Sequence, residues 1–301
     1  MADKKIHVFP VTFSSQGVPL AGALHRSVSD LSERQPAVLV TGSWLTVKEQ
    51  MPAVYASRLA ALGYTAFTFD FTGFGESGGE PRQAELPDRK IRDILSAADF
   101  LGTLSSVRRG AVGHLAVCAS AQYALAAAAR GASIRSLVSV AGWFHDLESV
   151  APFYGGTAGV EARLLKATRA AAAYAHTREL ATVPAYAPGN EDAGMFFELP
   201  YYGLASRGAV PAWKNEMAVL SWLPWLTFDG ISGASSVAVP VLMVHGDGCV
   251  LPDNARRVYD ALAGPKKLVW MEGSQTDFYD QREAVDTAVA AANRHFQETL
   301  S

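Results

Sequence analysis

The chain has 301 residues, is 49% hydrophobic and 18% charged, and carries a formal net charge of −3. That is enough apolar sequence for a large core, and with no Lys/Arg run or basic stripe nucleic acid is not an expected partner. Cys118 and Cys249 do not make a disulfide framework, no Cys/His group has zinc-like spacing, no phosphate-binding glycine loop appears, and the apolar runs fall short of a membrane span.

Ile6–Ser15 and Val18–Ser27 read as extended segments around a Gln16-Gly17 turn. Ala37–Thr41 is a short apolar run suited to a strand covered on both faces. Met51, Val54, Tyr55, Leu59 and Leu62 have helical spacing that stops at Gly63. Thr65–Phe71 predicts a strand, and Ile91, Ile94, Leu95, Ala98 and Leu101 a helix. Leu115–Cys118 ends a strand, Gln122–Arg130 is helical, and Ile134–Ala141 is a strand. The alternation then stops across residues 144–235, which are rich in Pro, Gly, Trp, Tyr and Phe. It resumes with a strand at Val239–His245, a helix at Asn254–Leu262, a strand at Lys267–Met271 and a helix at Asp280–Leu300. Strand–helix alternation implies an α/β fold with a mostly parallel sheet. The expected organisation is a core of residues 1–143 and 236–301, with 144–235 inserted as a lid.

Three stretches carry the chemistry: Asp70-Phe-Thr-Gly-Phe-Gly-Glu-Ser77, Ala116-Val-Cys-Ala-Ser120, and Glu272-Gly-Ser-Gln275. Taken in order, over nearly the whole chain, they resemble the α/β-hydrolase fold. In particular they are similar to its dienelactone-hydrolase-like subgroup, where a cysteine can occupy the nucleophile elbow. Thr46-Val-Lys-Glu-Gln50 is similar to the same subgroup.

The resemblance implies a central sheet with helices on both faces and a helical lid. It puts Cys118 on the strained turn between strand and helix, with Ala116 and Ser120 as the small flanking residues. The helix N-terminus is then expected to lower the thiol pKa. The N–H of Ala119 is one expected oxyanion donor, and the second is expected from Ser43 or Trp44. The competing reading of Cys118 is a small apolar core residue.

Two triad positions depart from the family. The histidine position reads Gln275, which cannot act as a general base near neutral pH. The acid position falls on Gly248 or Cys249, with Asp247 or Asp253 as substitutes. His145 is the preferred replacement base, because it follows the Ile134–Ala141 strand at the sheet edge where ligands of open α/β folds bind. A structural hydrogen bond is its alternative. His245 is expected to pack locally, and His114 lies at the far end of the elbow strand. Thr46 and Glu49 read as a helix-capping box, with Glu49 as a thiol partner the alternative. Trp44, Trp143 and Phe144 flank the predicted pocket.

The leading expectation is an enzyme acting through Cys118 on a small apolar ester, lactone or related carbonyl compound. The alternatives are a non-hydrolytic isomerase, cyclase, dehydratase or C–C lyase on the same scaffold, and an inactive ligand-binding protein. A small apolar or aromatic molecule is the expected partner, without a cofactor, metal, nucleic acid or membrane. A homodimer is compatible with the chain but not specified by it. With no apolar signal region after Met1, the expected location is cytoplasmic.

Overall fold

Gln16 and Gly17 both take positive φ (50° and 81°), the backbone of a primed hairpin turn, and join β1 (His7–Ser15) to β2 (Val18–Arg26). The computed structural model describes residues 5–301. Next in the chain come β3 (Gln35–Thr41), α1 (Met51–Ala61), β4 (Thr65–Phe69), α2 (Pro87–Thr103), β5 (Val107–Val117), α3 (Ser120–Ala129) and β6 (Ser136–Val140). After the long excursion come β9 (Val241–His245), α8 (Pro252–Ala261), β10 (Lys266–Trp270), α9 (Asp277–Asp280) and α10 (Arg282–Thr299).

One eight-stranded sheet has the order β1-β2-β4-β3-β5-β6-β9-β10. Only β2 runs against its neighbours on both sides; β4, β3, β5, β6, β9 and β10 pair in parallel. Helices α1, α9 and α10 pack together on one face, and α2 and α3 pack together elsewhere on the sheet. The central strands are covered on both faces, which is why Ala-Val-Leu-Val-Thr of β3 and Ser-Leu-Val-Ser-Val of β6 read as runs rather than alternations.

Several boundaries differ from the sequence expectation. The strand before the elbow is eleven residues long, because its polar first half (Arg108, Arg109, Gly110) gives no apolar signal. The helix expected around Ile91 starts at Pro87, with proline in the first turn where its missing N–H costs nothing. The last helix breaks at Gln281, leaving α9 as one separate turn. The capping box does not form. Thr46 Oγ1 donates to the Ser43 carbonyl at 2.7 Å, Glu49 pairs with Lys48 at 2.7 Å, and α1 begins at Met51.

The excursion between β6 and β9 holds α4 (Leu147–Val150), the 22-residue α5 (Gly156–Thr177), a two-strand pair β7 (Thr182–Val183) and β8 (Met217–Ala218), α6 (Pro200–Gly203) and α7 (Trp222–Leu226). Most of its aromatic residues pack against the core, although Phe197 is exposed. Trp225 stacks on Trp44 at 4.7 Å between ring centroids, and Tyr202 packs against Tyr279. Among the described residues, no helix is long and apolar enough to cross a membrane.

Candidate active site

Strand β5 ends at Val117, and α3 begins at Ser120, so the chain must reverse within two residues. Cys118 makes the turn with φ +55°, a left-handed conformation that costs a non-glycine residue roughly 1 kcal/mol. It is held there by its own backbone: its N–H donates to the Val140 carbonyl at 3.1 Å, and its carbonyl accepts from Ala121 and Trp143 at 3.0 Å each. Small neighbours make the turn possible. Ala116 is fully buried, and Ser120 accepts from Thr41 Oγ1 at 2.9 Å.

The thiol faces a cavity of about 170 Å³. Its walls are Trp44, Trp143, Phe153, Tyr154, Phe197 and Trp225, and its polar end is formed by Ser43, Tyr202, Gln275 and Tyr279 around Cys118. No charged side chain lines it among the described residues. Of the residues expected from sequence, Cys118, Ala119, Ser43, Trp44, Trp143 and Gln275 meet here.

Three others do not. Phe144 is buried but points away from the cavity, its ring against Gly142. Asp247 projects outward and pairs with Arg256 at 2.6 Å, so it has no path to the thiol. Its side chain, about three-quarters exposed at 74%, is solvated instead of orienting a base. His145 is fully buried and outside the lining. Its Nδ1 accepts from Trp143 Nε1 at 2.7 Å and its Nε2 donates to the Trp225 carbonyl at 2.7 Å. With both nitrogens engaged, His145 holds two walls of the cavity in place instead of serving the thiol. Burial pushes its pKa down to about 4, against the opposing pull of the Trp225 carbonyl, Asp146 and Asp229. Asp146 caps α4 and pairs with Arg257 at 3.2 Å.

His245 bonds to its neighbour Gly246 and, across the sheet edge, to the Gly142 carbonyl. His114 is not at the far end of the elbow strand as expected: β5 starts at Val107, so His114 lies four residues before Cys118 and bonds at 2.8 Å to Thr41 Oγ1, which donates to Ser120. Glu49 does not reach the thiol. It joins Asp70 and Glu76 around the Lys48 ammonium, at 2.7, 2.8 and 2.6 Å, so the cationic place in that carboxylate cluster is already filled by lysine.

Burial raises the Cys118 pKa, and the polar groups near the thiol, Ser43, Tyr279, the Ala119 N–H and Gln275, only partly offset it. This runs opposite to the lowered thiol pKa expected from the sequence, because the cost of burying the charged form is the largest effect on it. Cys249 is likewise a buried thiol, its pKa pushed up by burial to about 12.

Two backbone N–H groups of residues lining the cavity have no partner among the described residues. Ala119 supplies one at the start of α3. In the loop after β3, Ser43 N–H is taken by Met51 Sδ at 3.4 Å and Leu45 N–H by Glu85 at 3.1 Å, which leaves the Trp44 N–H for a ligand. Glu85 is itself buried, and it also accepts from Lys90 at 2.8 Å and Tyr123 at 2.7 Å.

Sequence reasoning missed Tyr202 and Tyr279. Tyr202 O–H donates to Ser43 Oγ at 2.9 Å, Ser43 Oγ lies 3.4 Å from Tyr279 Oη, and Gln275 Nε2 donates to Tyr279 at 3.2 Å. Tyr279 carried a usable signal only in its closeness in sequence, four residues beyond Gln275. Tyr202 comes from the excursion, and nothing in its local sequence points to Ser43.

This strand order, with a nucleophile turn after β5 and a polar cluster after β10, defines an α/β-hydrolase fold. No family model matches the chain. It is 28% identical to the uncharacterized protein PA2218 of Pseudomonas aeruginosa, across 93% of this chain and 78% of that one. The crystal structure of PA2218 superposes with a TM-score of 0.82 at 24% identity, covering 98% and 95% of the two chains. The α/β hydrolase GrgF from Penicillium superposes with a TM-score of 0.79 at 18% identity, covering 98% and 99%. A polyketide transferase, claH of Penicillium crustosum, is 27% identical over 84% of each chain. A thiohydrolase, aneE of Aspergillus aculeatus, is 22% identical over 95% of this chain and 91% of that one.

Proposed function

We propose that this chain is an enzyme that moves small apolar or aromatic acyl groups, taking them from esters or thioesters onto Cys118. The observation that carries this reading is the elbow itself: a cysteine held at φ +55° at the polar end of an uncharged aromatic cavity, with Ser43, Gln275 and Tyr279 lining the cavity beside it. Sγ attacks the carbonyl carbon, and the developing oxyanion is taken by the N–H groups of Ala119 and Trp44. Residues 144–235 act as the lid whose Trp225 and Phe153 keep water from the acyl group.

The second half of the reaction follows from what Gln275 cannot do. Water needs a base to attack a thioester, and no imidazole or carboxylate lines the cavity among the described residues. A thiol or amine acceptor needs less help, so transfer is favoured over hydrolysis. The names of two relatives, a polyketide transferase and a thiohydrolase, support acyl chemistry of this kind.

The test is intact mass spectrometry after incubation with a benzoyl thioester and a nitrophenyl benzoate. A benzoyl adduct on Cys118 that persists in water and leaves on adding a thiol is the expected result, with no adduct in Cys118→Ala. Absence of the adduct in the native protein, or acyl turnover in Cys118→Ala, overturns the proposal. Ligand binding without turnover is the second reading, favoured by the raised thiol pKa; it predicts binding of benzoyl compounds with no adduct at all.

A further inference from the structure

The elbow thiol lacks its histidine, so its proton has to leave by another route. The hydroxyls around Cys118 are not equivalent. Tyr202 is committed as donor to Ser43 Oγ at 2.9 Å. Gln275 is fixed at both ends of its amide: Oε1 accepts from the Val250 N–H at 3.1 Å, and Nε2 donates to the Ala141 carbonyl at 2.8 Å. Its remaining Nε2 hydrogen goes to the Tyr279 oxygen at 3.2 Å. That bond fills one lone pair of the phenol oxygen. The other lone pair and the O–H are left for Ser43 Oγ, at 3.4 Å, and for the Cys118 thiol, which lines the same polar end of the cavity. Tyr279 also lines the cavity, so its hydroxyl reaches the same space as a bound acyl group.

We propose that Tyr279 is the proton-transfer residue of this site, with Gln275 as the residue that positions it, and that the acyl donor it serves is a thioester. This rests on the acyl-transfer reading above. As the bond from Cys118 Sγ to the acyl carbon forms, the thiol proton passes to the Tyr279 oxygen. In the same step the phenol's own proton passes to the departing sulfur, whose bond to carbon breaks. The phenol is neutral before and after, and no charge is left in the cavity. Discharge to an acceptor thiol runs the same exchange in reverse. A thioester fits because the attacking and departing groups are both thiols of similar acidity. An alkyl ester would demand that a neutral phenol protonate a far more basic alkoxide.

The experiment compares two reactions of Cys118: acylation by the benzoyl thioester of N-acetylcysteamine, and alkylation by iodoacetamide, which releases iodide and needs no proton delivered to the leaving group. Tyr279→Phe keeps the ring and removes the hydroxyl. Acylation is expected to fall about 100-fold or more, as for loss of an acid–base group, with alkylation changed little. The residual acylation of Tyr279→Phe should climb as pH rises, because thiolate then replaces the relay, while the native rate is flatter. Gln275→Leu, which leaves the phenol in place without its donor, should lose about tenfold in acylation alone, the scale of a supporting outer-shell contact. Near-native acylation in Tyr279→Phe, or an equal fall in both reactions, overturns the relay. If Tyr279→Phe does not fold, Gln275→Leu decides by the same comparison. Failure of the native protein to acylate overturns the acyl-transfer reading and the relay together, whereas native acylation unaffected in Tyr279→Phe removes only the relay.

Discussion

Acidification below pH 6.5 should unfold this protein through three buried histidines. Burial holds His25 and His145 down to about 4 and His114 down to about 3, from an ordinary value of 6.5. His25 and His114 each leave Nδ1 without a partner, so neither has a place for a second proton's bond. The unfolded chain therefore binds protons near pH 6.5 that the folded chain refuses until about pH 4. Stability is fully present above 6.5 and is lost as pH falls toward the folded values. Each group contributes a slope of ~1.4 kcal/mol per pH unit in that window, or ~4 for the three. At pH 5 the loss is ~2 kcal/mol per imidazole and ~6 kcal/mol together, comparable with the whole stability of an ordinary domain. Urea unfolding at pH 7, 6 and 5 at constant ionic strength measures it. His114→Gln, which keeps a partner for Thr41 Oγ1, should remove about a third of the slope. Stability that is flat between pH 7 and pH 5, or a slope unaltered in His114→Gln, refutes the reasoning.

Two further substitutions separate positioning from chemistry. His145→Phe should cost about 2–3 kcal/mol, since Trp143 Nε1 and the Trp225 carbonyl lose their partner, and should shift tryptophan fluorescence. Its acyl donor should bind more weakly while the rate of the bound complex stays near native; a rate loss of about 100-fold would instead mark His145 as the base. Glu85→Leu strands the Lys90 ammonium between Phe71 and Phe74 and releases Leu45, so roughly 3–5 kcal/mol should be lost in urea unfolding. Pairing it with Lys90→Met should recover much of that, and no recovery would mean the ion pair is not the source.

The sequence by itself determined the sheet and the elbow. Apolar runs of five residues, helical spacing between them and glycine stops are local signals, and they are sufficient to order β3 to β6 around Cys118. The placing of Gln275 in the same cavity as Cys118 was also legible, because it depends on position in that order. The direction of the Cys118 pKa was not, since burial is a property of what closes over the thiol. Nor were the roles of His145 and Asp247 legible. Both follow strands at the sheet edge, but one imidazole turns inward between Trp143 and Trp225 while the carboxylate turns outward to Arg256. Tyr202 reaches Ser43 across 159 residues of chain. Contacts of that separation are set by how the excursion folds back over the sheet, so only the tertiary structure could bring the two tyrosines to the cysteine.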